Sequence, residues 1–238
     1  NISSPASLAN LKLVNYAVGA NHSSRKFSSE DNSTNNVTAG IDYMSLAIPT
    51  KYFGFGFGLI PKTAVGYRLS VDNQVDGVNT NSNYEGSGGI NQVFFSFGFS
   101  PIKNAGIGLA IHYNFGTIFR SHTRQDEGID LLSQLASESE IRGVELNLSS
   151  YYKIDLSDRL QMQVHYAYQP TADLESFNSR TISTFTSLGG SRDSQEINLS
   201  NDGLDQTISR LPSKQTFGGG IGEPKKWFVG GQLSLIHI

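Results

Sequence analysis

The stretch "KYFGFGFGLIPKTAVGYRLS", residues 51–70, decides the fold. Phe53, Phe55, Phe57 and Leu59 alternate with Gly54, Gly56 and Gly58, and the apolar phase continues on odd positions to Leu69. Successive side chains of a strand point to opposite faces, so one face here is greasy and the other nearly bare backbone. Something must cover the aromatic face, and something must come close to the glycine face.

The same period recurs along the chain. In 105–118, Ile107, Leu109, Ile111, Tyr113 and Phe115 alternate with Gly106, Gly108, Ala110, His112 and Asn114. In 91–99, Val93, Phe95, Phe97 and Phe99 alternate with Gln92, Phe94, Ser96 and Gly98. Segments 143–154 and 158–169 repeat the pattern, placing Val144, Leu146 and Leu148 opposite Glu145 and Asn147, and Val164 and Tyr166 opposite Gln163 and His165. Period-two alternation of this length indicates strands with one apolar face. It predicts nine strands, at 11–22, 37–48, 52–71, 90–100, 105–119, 141–154, 158–177, 207–221 and 227–235.

Composition narrows the class. Gly contributes 25 residues and aromatics 11%, with 14 Phe and 10 Tyr, a bias towards strands and turns. Mean hydropathy is −0.27, which says little about membranes, because barrel strands alternate and average out as polar. No window approaches the length of a transmembrane helix. Zero cysteines exclude disulfides and thiolate metal sites. A net charge of −3 without a basic cluster argues against nucleic acid as a partner. The chain begins at Asn1 without Met, so a signal peptide is expected to have been removed or to lie outside this segment. "LSLIHI" stops mid-strand, and Ile236–Ile238 are read as a non-native tail, leaving 1–235 as the barrel.

Connections alternate in length. They are short at Pro49–Lys51, Pro101–Asn104, Asp155–Ser157 and Gly222–Lys226, and long and polar at 23–36, 72–89, 120–140 and 178–206. Short turns at one end and long loops at the other suit an antiparallel up-and-down transmembrane β-barrel of an outer membrane. Tyr52, Phe53, Tyr151, Tyr152 and Trp227 lie near the short turns, where an interfacial girdle is expected. A soluble β-sandwich or lipocalin-like barrel also alternates, but it predicts tight turns at both ends.

Three stretches resemble the FadL-type outer-membrane transporters of long-chain fatty acids and other hydrophobic compounds. They are "NISSPASLA", "GVELNLSSYYKIDLSDRLQMQVHYAYQPTADLES" and "ISRLPSKQTFGGGIGEPKKWFVGGQLSL". The resemblance implies a fourteen-strand barrel, of which this chain would be an incomplete part without the N-terminal hatch. It also implies a ligand path from an outer groove to the lumen and out through a gap at a kink in the third strand.

Site candidates follow from both readings. Pro61 has no N–H to give a neighbouring strand, so it marks either that gap or an ordinary bulge, beside the small residues Gly54, Gly56 and Gly58. In 120–140, Ile129, Leu132 and Leu135 fall at helical spacing behind Asp126, Glu127 and Asp130, predicting a short amphipathic helix in a long extracellular loop. Arg120 and Arg124 beside it could pair with a carboxylate or remain solvated. The phasing sends Lys62, Arg68, Phe94, His112, Asn114, Gln163 and His165 into the lumen. No GxSxG or comparable motif occurs, and "FGGGIG" lacks the context of a phosphate loop, so no enzyme, cofactor or metal is expected.

The expected function is passive uptake of fatty acids or similar hydrophobic small molecules by a monomer among the lipids of a Gram-negative outer membrane. The alternative is a barrel of the same shape serving as a scaffold subunit of a secretion or surface-attachment complex.

Overall fold

The structure is a computed structural model, and it describes residues 4–28, 33–75, 77–186, 190–224 and 226–237. The expectations placed on Asn1 and Ile238 lie outside the described residues. A six-residue 3-10 segment, Pro5–Asn10, precedes the strands. These are β1 (Asn15–Ser28), β2 (Ser33–Pro49), β3 (Phe53–Val75), β4 (Val78–Ile102), β5 (Ala105–Asp126), β6 (Leu131–Asp155), β7 (Gln161–Gln169), β8 (Ala172–Thr186), β9 (Ser191–Glu196), β10 (Gln206–Leu211), β11 (Ser213–Glu223) and β12 (Trp227–His237). They form one antiparallel sheet whose main path is β1-β2-β3-β4-β5-β6-β7-β11-β12. That path is open among the described residues. β8 continues alongside β6 beyond the end of β7, and β9 and β10 pair with β8.

Two differences from the sequence expectation have one cause. The segments read as long loops at 72–89 and 120–140 are strand, so β4 and β6 each reach 25 residues. The predicted helix is absent: Gly128, at φ +81°, closes a tight hairpin after Asp126, and Leu132 onwards pairs with β5. The apolar residues 129, 132 and 135 do recur at helical spacing. However, "LASESEIR" also alternates with period two, and the free edge of β5 offers a ladder that an isolated helix of that length could not match. Ile236 and His237 continue the pairing of β12 with Lys214 and Ser213.

The predicted facing holds in the half of the sheet near the short turns. Phe94 is 3% exposed while its neighbour Phe95 is 50% exposed. Phe53, Phe55, Phe95, Phe97 and Phe99 form a contiguous outer ladder with ring centroids 5.2–6.2 Å apart. Gln92, His112, Asn114, Asn147 and Ser149 are buried on the opposite face. Of the expected girdle, Tyr52, Tyr152 and Trp227 are exposed, but Tyr151 lies on the inner face over Gly106. Tyr151 and Tyr152 are adjacent, so the alternation can expose only one of them.

The glycine face is covered by the 3-10 segment. A Cβ at Gly54 would collide with the Leu8 carbonyl, one at Gly108 with the Ala6 nitrogen, and one at Gly98 would lie 2.7 Å from the Pro5 oxygen. Ala6 and Leu8 are buried there, and the Ala6 N–H donates to Ser149 Oγ at 2.8 Å. Six residues of 3-10 helix span roughly 12 Å. The segment nevertheless contacts β2 through β6, so the sheet curls around it. We call this its concave side.

Candidate functional site

A single extra residue divides the sheet in two. β3 pairs with β4 as Pro61↔Asn91 and then Thr63↔Ile90, leaving Lys62 unmatched in a bulge, where the Thr63 hydroxyl accepts the Ile90 N–H at 3.1 Å. A one-residue slip moves every following side chain to the other face. Below the bulge the odd residues Phe53 to Leu59 point outwards. Above it the odd residues lie opposite Gly88, Gly86, Tyr84 and Ser82, and Tyr67 lies over Gly86 on the concave side.

The other strands change composition at the same level. The outer face of β4 runs Val93, Phe95, Phe97, Phe99 below and Asn79, Asn81, Asn83, Glu85 above. Arg68 therefore does not face the lumen as its phase implied. It sits on the outer face, paired with Glu85. β4–β5 and β5–β6 keep their register across this line, so their faces continue without a flip.

Three groupings of polar residues result. The first is in the inner wall below the bulge. Gln92 Nε2 donates to Asn114 Oδ1 at 3.0 Å, and Asn114 Nδ2 donates to Glu145 Oε1 at 2.6 Å. Lys62 Nζ reaches the same carboxylate oxygen at 3.9 Å. His112 is buried beside Phe94, with its Nε2 unpartnered. Four strands are thus tied together by one carboxylate. Glu145 was missed as a member, although its place opposite His112 could be read from the alternation.

The second is a groove of about 430 Å³ on the concave side of the upper sheet. Tyr84 and His122 stack within it, centroids 4.4 Å apart and planes 1° from parallel. Arg120, Leu135 and Arg180 line it as well. Of the three residues read as one helical face, only Leu135 is here. Leu132 lies on the opposite face of β6, and Ile129 is in the hairpin turn, 50% exposed.

The third is a polar pocket of about 180 Å³ between the 3-10 segment and β7 and β11, lined in part by Gln163 and His165.

At Pro61 the sheet is asymmetric. Pairing with β4 continues through the bulge, whereas pairing with β2 ends at Met44↔Leu59. A Cβ at Gly56 would press on the Leu8 side chain, and one at Gly58 would collide with the Met44 carbonyl and the Phe94 ring. Among the described residues no cluster of His, Cys, Asp and Glu could hold a metal.

Comparison with known families tests the resemblance. The family model BamG matches residues 1–238. The chain belongs to the BamG family. This overturns the FadL-type assignment drawn from the three quoted stretches: they carry strand, turn and proline patterns that barrels share, and none contains a site-specific motif. No curated protein and no solved structure gave a match. Membership of the BamG family and the all-β fold are consistent with association with the outer membrane.

Proposed function

We propose that this BamG-family chain is an outer-membrane β-barrel subunit of the complex that assembles other barrel proteins, and that it works as a scaffold. The family match over the whole chain carries the reading, and it favours the scaffold alternative over solute uptake. The two-part sheet supports it. A strand needs about 9–11 residues to cross a bilayer, and the apolar outer face occupies about that length, Phe53 to Pro61 on β3. β4 and β6, at 25 residues, would run on for roughly 80 Å in all. The excess strand leaves the hydrocarbon as a broad curved sheet, polar outside and partly aromatic on its concave side. Such a surface suits a protein partner better than a permeating solute. The 3-10 segment occupies the concave side of the band, where a conduit would have to run.

The test is co-purification from the native outer membrane after crosslinking, with parent and Tyr84→Asp chains at equal surface levels. Recovery of barrel-assembly proteins with the parent, reduced by the substitution, supports the reading. If none co-purify, and newly made barrel proteins insert normally without the chain, the reading fails.

A further inference from the structure

The pocket between the 3-10 segment and β7 and β11 has a lining of one sign. Ser7 and Asn10 close it from the segment, and Gln163, His165, Thr216 and Lys214 from the strands. No Asp or Glu lines it, and among the described residues Lys214 makes no ion pair. Tyr151 also lines the pocket, and its buried hydroxyl has no hydrogen-bond partner.

A partly buried lysine in a lining of amide, hydroxyl and imidazole side chains, without a carboxylate, is matched to an anion. The partly open space of about 180 Å³ has room for one tetrahedral or planar oxyanion with part of its shell. The 3-10 segment contacts β2 to β6, and this pocket is the space left between it and the β7–β11–β12 side.

We propose that this pocket binds a phosphate or carboxylate oxyanion, with Lys214 as its charge partner, and that the bound anion bridges the 3-10 segment to β7 and β11. The site is independent of the assembly role and stands or falls without it.

The experiment uses the full chain folded in an uncharged detergent and titrated with inorganic phosphate at constant ionic strength, with chloride as the reference. Phosphate should bind saturably at one site and slow proteolysis within Pro5–Asn10. Lys214→Met, which keeps the stem and removes the charge, should weaken binding about tenfold or more, the loss expected for one charged hydrogen bond. Lys214→Arg should restore most of it, and Lys226→Ala, at a turn lysine paired with Glu223, should change nothing. A second arm presents phosphatidylglycerol vesicles. A Lys214-dependent response to these alone assigns the same oxyanion chemistry to a lipid head group. If the parent chain shows no saturable response to either, or if Lys214→Met binds as Lys226→Ala does, the proposal is overturned. The parent titration decides the matter even if the Met variant does not fold.

Discussion

Below Lys62 the strands carry their greasy side chains outwards and their polar ones in; above it β3 carries Tyr67 and Leu69 inwards and Arg68 out. The two halves share β3 to β6 and the pairings among them, yet they suit different solvents. The lower half could not face water with an outer ladder of five phenylalanines, and the upper half could not face lipid with Asn79, Asn81, Asn83 and Glu85. One inserted residue on β3, together with a change of composition on its neighbours, makes the switch.

The most damaging way to break this division is to delete Lys62 while leaving every other residue in place. Restoring the register would turn Tyr67 and Leu69 outwards and Arg68 in. Amides 63–75 should lose hydrogen-exchange protection, whereas Lys62→Ala, which keeps the count, should retain it. Next in size is Gly108→Val, which places atoms where Ala6 and Pro5 lie. Overpacking of this kind costs about 1–3 kcal/mol, and should appear as a lower unfolding midpoint and faster cleavage within Pro5–Asn10. Gly66→Ala, with nothing within 4 Å, should be near neutral in the same assay.

Glu145→Ala should cost about 1–3 kcal/mol, since it removes the acceptor of the Asn114 amide and the second of two acceptors of the buried Gln92 amide. Glu145→Gln, which can still accept, should cost less in the same unfolding measurement. The smallest effect is at the hairpin tip. Hydrogen bonds from Arg124 and Thr80 hold the Asp126 carboxyl below its ordinary value near 3.8. A depressed carboxyl stabilises above its unfolded value, and that contribution is lost as pH falls through the folded one. Exchange of amides 79–81 and 124–126 should therefore speed up only in acid below that range, and Asp126→Asn should flatten the dependence.

The lower half was legible because each strand there repeats a two-residue period against one apolar surroundings. The facing of Phe55, Ile111, Leu146 and Val164, and of His112 and His165, follows from that period alone. The upper half was not. Its apolar residues keep the same odd phase on β3 through the bulge, so the flip leaves no trace in the alternation, and Pro61 was the one mark near it. The hairpin at Gly128 was hidden by three apolar residues that happen to suit a helix. The wall network needed Glu145, whose role depends on a cross-strand neighbour and not on its own segment. The family could not be read from stretches whose patterns any barrel of this build would carry.

The short ladder between β2 and β3 has a mechanical meaning. β1 and β2 zip along fourteen residues of β1, but only Met44–Pro49 joins that hairpin to β3. Neighbouring hairpins β3–β4 and β4–β5 are held along almost their whole length. Pulled from its N-terminal side, the molecule should yield in a fixed order. The first hairpin detaches as a unit at low force, and the β3–β6 block resists until much later. In an optical-tweezers trace that order would show as one small early step followed by a single large rupture.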